Sequence, residues 1–235
     1  MQIIKPSFVI ENPEELDEER VLARLARYAR TAYQSEGSGS ATLIRKIVDR
    51  GHESVIEHEK ITVRFICDRG VTHEVVRHRI ASYTQESTRF CNYSQGRFGS
   101  EIKVIEPLFF DRRGKVKAVD VPSGVFSDSG SLVFSTKVYP LNEFDVWWLA
   151  MLFAEWAYLA LTKGFGRTPQ EARSVLPNSL KTEIVITYNL REWRHFFRLR
   201  CAKDAHPQMR EITIPLLQEF QEHMPAIFGD ISILE

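Results

Sequence analysis

A strand followed at once by a helix, an order that occurs twice, limits what this chain can fold into more than any other feature. Lys60–Cys67 alternates polar and apolar residues, the two-residue period of a strand with one face on a core. Asp68 comes next and can cap a helix from Arg69 to about His78, which would deliver the RHR run to an irregular polar loop suited to a binding site. The same order returns near the end, with a strand over Lys181–Tyr188 and a helix over Asn189–Lys203. Strands set among long helices, with no internal repeat and no low-complexity linker, fit one α+β domain over residues 1–235.

The remaining segments agree with that class. Residues 1–11 predict a short strand. Asn12-Pro13-Glu14-Glu15 supplies a capping side chain, a proline and first-turn acids, so a helix is expected to run from there to about Tyr33. Its apolar stripe is Leu16, Val21, Leu22, Leu25 and Tyr28. A second helix is expected over Ala41–Arg50, stopped by Gly51. Residues 101–140 alternate in short runs separated by Asp111-Arg112-Arg113-Gly114 and by Pro122-Ser123-Gly124. They predict one or two hairpins, an irregular strand-rich insert at about 107–138. A long helix is expected over Asn142–Lys163, ending at Gly164. Thr168-Pro169-Gln170-Glu171 is a capping box that starts a short helix to about Val175. The last helix spans Pro207 to about His223.

Charge and cysteine usage exclude several classes. Lys plus Arg and Asp plus Glu both number 31, so the net charge is zero, unlike a general nucleic-acid coat protein. The three cysteines, Cys67, Cys91 and Cys201, form no CxxC and fit no metal framework, which suits a reduced, cytoplasmic setting. His52-Glu53 begins like HExxH, but Ile56 stands where the second histidine is needed, so no metal site is expected. The N-terminus has no signal-peptide core. The most apolar stretch, Val146–Leu161, is short for a membrane span and carries Glu155, so a buried or interface helix is expected.

The densest chemistry lies in RHRIASYTQESTRF, from Arg77 to Phe90. Arginine forks hold phosphates or carboxylates through paired hydrogen bonds. Ser82, Thr84, Gln85 and Ser87 can read sugar hydroxyls or a base edge. An anionic, oxygen-rich ligand such as a nucleotide suits this set. A second cluster lies in the C-terminal third. Asn189 and Arg200 are eleven residues apart, about three turns, so they share one helix face, and Arg191 and His195 share another. Trp193, Phe196, Phe197 and Leu199 surround them, so some of these polar groups are expected at a partly buried edge, where a guanidinium needs a partner.

RHR-x7-S with Ser87-Thr88-Arg89-Phe90 resembles the signature of the flavin-dependent thymidylate synthases, the ThyX family. Gly51–His58 resembles that family's GHxSxxEH box. Ala172–Pro177, Asn189–Glu192 and His195–Arg200 look like its AR-x-x-LP, N-x-R and HF-x-x-LR elements, in the right order. Together these motifs cover roughly half the chain. The resemblance implies a mixed α/β domain with a central antiparallel sheet and long helices. It implies dTMP synthesis from dUMP, with methylenetetrahydrofolate as carbon donor and FAD as hydride carrier, re-reduced by NADPH. Carbon 5 of uracil is a poor nucleophile, and the family is understood to lack a cysteine nucleophile. By the same resemblance Arg200 polarises the uracil. Arg89 and Arg173 grip the phosphate, Gln85, Glu86, Ser87 and Thr88 line the nucleotide, and Glu74 lies near its sugar, with Arg77 close by. Ser54, Arg77, His78, Arg79, Gln85, Asn189, Arg191 and His195 hold FAD. The resemblance also implies a homotetramer with active sites at subunit interfaces, and neither nucleic acid nor membrane as a partner.

Some positions depart from the family's common pattern. Gln85 stands where glutamate is frequent, Thr84 where asparagine is frequent, Phe90 where tyrosine is usual and His195 where some members have asparagine. Phe90 cannot take over a tyrosine hydroxyl's role. No GxGxxG and no Walker loop occurs, so FAD would not sit in a Rossmann domain. The competing class is a non-catalytic nucleotide- or RNA-binding module using Arg77, Arg79 and Arg89, with Phe90 and Tyr93 for stacking.

Overall fold

A computed structural model describes residues 1–33, 39–126 and 132–233. The strands are β1 (Gln2–Ile4), β2 (Ser7–Ile10), β3 (Lys60–Asp68), β4 (Ala81–Gln85), β5 (Lys103–Ile105), β6 (Lys117–Phe126), β7 (Leu132–Leu141) and β8 (Lys181–Asn189). The α-helices are α1 (Glu18–Tyr33), α2 (Ser40–Asp49), α3 (Arg69–Val75), α4 (Glu143–Leu159), α5 (Pro169–Ala172), α6 (Leu190–Arg200), α7 (Pro207–His223) and α8 (Pro225–Phe228). The fold is mixed α+β.

The two sequence-predicted strands are the centre of the structure. β3 and β8 pair antiparallel over their full length, from Lys60 opposite Asn189 to Asp68 opposite Lys181. β2 pairs with the outer edge of β3 and β4 with the outer edge of β8, giving the order β2-β3-β8-β4. Alternation sends Ile61, Val63, Phe65 and Cys67 of β3, with Ile184, Ile186 and Tyr188 of β8, to one buried face. Helices α1, α2, α6, α7 and α8 cover that face, and Trp193, Phe196, Phe197, Phe220 and Phe228 fill the space between. A second cluster lies beside it. Tyr93, Ile102, Val104, Trp147, Met151, Tyr158, Ala172 and Leu180 pack where α4 meets β5 and the loop after β4.

Several expectations need correction. Residues 1–11 are not one strand. Pro6 lacks an N–H, and the chain splits into β1, parallel to β5, and β2 in the central sheet. The first helix is interrupted at Asp17, after a 3-10 turn over Pro13–Leu16, and Asp17 restarts it by accepting from the Arg20 N–H at 3.1 Å. The segment after Arg79 is not an irregular loop. Ala81–Gln85 is the edge strand β4. Pro122-Ser123-Gly124 does not separate strands, because β6 runs through it opposite Thr136, Ser135 and Phe134. Every strand of a two-stranded ribbon is an edge, where a missing proline N–H is tolerated. The turn of this hairpin lies outside the described residues.

The capping box at Thr168 forms, and Asn142 caps α4 with a box of its own. The helical stretch Glu143–Gly164, whose last turn is π-helical, is long and apolar enough by length and composition to cross a membrane. Glu155 in its middle accepts from the Ile102 N–H at 3.1 Å and pairs with the N-terminal amine at 2.8 Å. One side therefore packs on the domain, while Val146, Leu152, Phe153 and Trp156 remain exposed.

Candidate active site

Three elements deliver the RHR run. Asp68 caps α3 by accepting from the Val71 N–H at 2.8 Å. The helix ends at Val75, and the N–H groups of Arg77 and His78 close a tight turn onto Glu74 and Val75 at 3.1 Å each. Tyr83 of β4 pins this turn, bonding the Val75 carbonyl at 2.8 Å, the His78 carbonyl, and the Tyr188 hydroxyl at 2.8 Å. Burial pushes both phenols' pKa values up, so they remain neutral. The pinned turn sends Arg77 and Arg79 outward and His78 inward.

The two arginines line an open groove of about 730 Å³ with Thr72, His73, Val76 and Gln85. Among the described residues neither arginine makes an ion pair. The Gln85 amide donates to Thr72 at 3.0 Å and to Thr182 at 3.3 Å, so the floor of the groove is tied to α3 and β8.

His78 is 5% exposed and belongs to a buried chain of polar groups. Its Nδ1 lies 3.0 Å from Glu192 Oε1, and its Nε2 accepts from Arg200 Nε at 3.1 Å. Arg200 Nη1 donates to Glu74 Oε2 at 2.8 Å and Nη2 to the Glu74 carbonyl at 3.3 Å. Burial and the positive charges of Arg200 and His195 push His78 down to about 4, so the ring is neutral near pH 7. Burial raises the pKa of the Glu192 carboxyl.

The grouping of residues on α6 differs from helical arithmetic. Asn189 does not act beside Arg200. Its side-chain oxygen caps the helix, accepting from the Glu192 N–H at 2.8 Å. Arg200 meets Glu192 and His195 instead, through His78, whose ring is 5.6 Å from that of His195. Arg191 turns to the Glu53–His58 turn and pairs with Glu57 at 2.5 Å. Ser54 is exposed on that same turn.

The loop after β4 forms a separate set. Ser87 accepts the N–H groups of Phe90 and Cys91 on its carbonyl at 3.1 and 2.9 Å, and that of Arg89 on Oγ at 3.3 Å. Thr88 is buried, and Arg89 lies over the exposed Phe90 ring. The Glu86 carboxylate accepts from Tyr93 Oη at 2.7 Å and from Lys181 Nζ at 3.0 Å. Arg173 is exposed on the 3-10 turn after α5 and, among the described residues, has no ion pair. Neither this loop beyond Gln85 nor Arg173 lines the groove.

Sequence reasoning missed Glu192 and Arg194. Arg194 is fully buried and holds Asp230 through two bonds of 2.6 and 2.7 Å, and Glu53 at 3.0 Å, tying the Glu53–His58 turn to the C-terminal segment. An arginine inside an aromatic run was the available signal for such a pair. The cysteines offer no ready nucleophile. Burial raises all three thiols, Cys201 to about 11.

The family model described as "Thymidylate synthase complementing protein" matches residues 15–226. The chain belongs to this family. Its relatives include proteins named flavin-dependent thymidylate synthase. That of Geobacter sulfurreducens is 32% identical over 219 residues, covering 88% of this chain and 81% of the relative. That of Corynebacterium glutamicum is 30% identical over 198 residues, covering 83% and 71%. Solved structures share the flavin-dependent thymidylate synthase fold. Thymidylate synthase X of Helicobacter pylori with FAD and dUMP superposes with a TM-score of 0.66, at 21% identity, over 96% of this chain and 98% of that one. The UMP/dUMP methylase PolB of Streptomyces cacaoi, bound with 5-Br UMP, gives 0.67 at 18% identity, over 97% and 95%.

Proposed function

We propose that this chain is a flavin-dependent thymidylate synthase that converts dUMP to dTMP, with FAD as cofactor and methylenetetrahydrofolate and NADPH as co-substrates. The observation that carries the reading is the way Arg200 is held. A guanidinium has five N–H donors. Three of them, one on each nitrogen, bond His78 and Glu74, which fixes the guanidinium and leaves one donor on each Nη for a ligand. A fixed cation of this kind, partly buried, can stabilise the negative charge that develops at the N3–O4 edge of uracil with little reorganisation. No thiolate is needed for that polarisation, which accords with three raised cysteines.

The residues suit FAD. Arg77 and Arg79 are exposed beside the groove with no ion pair among the described residues, and a dinucleotide's pyrophosphate would pair with such forks. Ser54, Asn189, Arg191 and His195 complete the set that would hold it. FAD, when bound, supplies the hydride for the methylation. Gln85, Ser87, Arg89 and Arg173 would orient dUMP, with Glu74 releasing or sharing Arg200 as the nucleotide enters.

We place the enzyme in the cytoplasm as a homotetramer. Two observations support assembly. Ser87, Arg89 and Arg173 do not line the groove that Arg77, Arg79 and Gln85 share, and α4 exposes Val146, Leu152, Phe153 and Trp156 along one face. Zero net charge disfavours an RNA-binding module.

The direct test is purified protein. Bound flavin absorbance, and tritium release from carbon-5-labelled dUMP with methylenetetrahydrofolate and NADPH, are the expected results. Protein that takes up no flavin and releases no tritium would overturn the reading.

A further inference from the structure

Glu192 is a buried acid to which the proposed chemistry gives no task. It lies in the first turn of α6 and is 7% exposed. The helix does not need it as a cap, because Asn189 already bonds its N–H at 2.8 Å. Its Oε1 instead lies 3.0 Å from His78 Nδ1.

The direction of every bond in this chain follows from Arg200. A guanidinium can only donate, so His78 Nε2, 3.1 Å from Arg200 Nε, must accept. The proton of the neutral imidazole is then on Nδ1 and is donated to Glu192. We propose that Glu192 is a positioning residue: by selecting the Nδ1–H tautomer of His78 it keeps Nε2 as an acceptor, which fixes the Nε edge of Arg200 and aims its free N–H groups at dUMP. This rests on the assignment of Arg200 to the uracil given above.

The surroundings support a relay rather than a lone buried acid. The His78 ring is held edge-on by Phe196 at 4.9 Å and lies 6.2 Å from the Tyr188 ring. The charged or titratable groups around it are Arg200, Glu192 and His195 from α6, with Glu74 of α3 on the far side of Arg200 and Tyr83 of β4 at its carbonyl. Burial first, and then the neighbouring Arg200 and His195, push His78 down to about 4. A protonated ring would set N–H against N–H at Arg200 and break the chain. His78, Glu192 and His195 also offer ligand atoms within 4.8 Å of one another. A metal ion there would face the Arg200 guanidinium at close range, so the hydrogen-bond relay is the better account.

A double-mutant cycle tests it in FAD-loaded protein. Glu192→Leu, Arg200→Ala, the double variant and Glu192→Gln are assayed for dTMP formation, flavin content and dUMP affinity. Glu192→Leu is expected to lower kcat by about tenfold, within the coupling range of contacting residues, with flavin content unchanged. Glu192→Gln, whose carbonyl oxygen still accepts the Nδ1 proton, should recover most of that loss. In the Arg200→Ala background Glu192→Leu should cost nothing further. If turnover there is too slow to follow, dUMP affinity gives the same cycle. The same fold loss in both backgrounds, or a glutamine variant no better than leucine, would overturn the relay. If Glu192→Leu does not fold, Glu192→Gln and His78→Gln replace it, and additivity of His78→Gln with Arg200→Ala is then the overturning result. Intact dTMP formation in Arg200→Ala alone would instead remove Arg200 from the chemistry, a failure distinguishable from that of the relay.

Discussion

The two packed regions of this molecule solve the same problem differently. Around the central sheet, helices close over the apolar face, and Trp193 is enclosed by Phe196, Phe197 and Phe220 at 5.6, 5.5 and 5.3 Å between ring centres. Its indole N–H donates to the Ile61 carbonyl at 3.0 Å, so even the polar atom of this side chain is satisfied inside. The region around α4 buries Trp147, Met151 and Tyr158, yet leaves Phe153 59% and Trp156 67% exposed on the same helix. A helix that is apolar all round needs cover all round, and one chain covers only one side. The sheet region closes its apolar face within one chain, whereas α4 leaves one apolar face uncovered, the face that the proposed homotetramer would bury.

The contrast yields expectations of decreasing size. Trp193→Ala should be the most damaging, at about 3–5 kcal/mol, the usual cost of emptying a large aromatic site. Denaturant unfolding measures it, and a loss under about 1 kcal/mol would mean the sheet core is not the stabilising unit. Next is Arg200→Ala, expected to lower dTMP formation about 10²–10³-fold while NADPH still reduces the flavin. Equal loss of both half-reactions would assign Arg200 to the cofactor.

Trp156→Glu should weaken association by about 2 kcal/mol or more, as for a central aromatic anchor, and barely change unfolding of the single chain. Sedimentation velocity decides this. An unchanged oligomer, or a stable monomer with active FAD before any substitution, would break the comparison. Smallest is Ser87→Ala. Its hydroxyl accepts the Arg89 N–H at 3.3 Å, and among the described residues it has no bond to a histidine or carboxylate that could activate it, so a binding role is expected. Residual turnover with a several-fold higher dUMP requirement should result. A covalent adduct mapped to Ser87 by mass spectrometry, with complete loss of activity in the variant, would make the serine a nucleophile.

Much of this protein was determined within short windows of its sequence. Alternation placed β3 and β8, capping chemistry placed the starts of α3 and α5, and α7 runs over the residues its pattern predicts. The ordered motifs indicated the family before any packing was known. Such features depend on neighbours within a turn or two, and local sequence reports them well. What tertiary structure decided involves partners far along the chain. Ala81–Gln85 is polar enough to read as a loop, and it becomes a strand because β8, about a hundred residues later, offers it an edge. The break at Asp17 and the passage of β6 through Pro122 likewise follow from pairing and packing rather than propensity. His78 sits between two arginines that face the groove, and nothing in that order shows that it alone turns inward. Tyr83 and Tyr188 force the turn, and Glu192 and Arg200 then supply the partners that a buried imidazole requires.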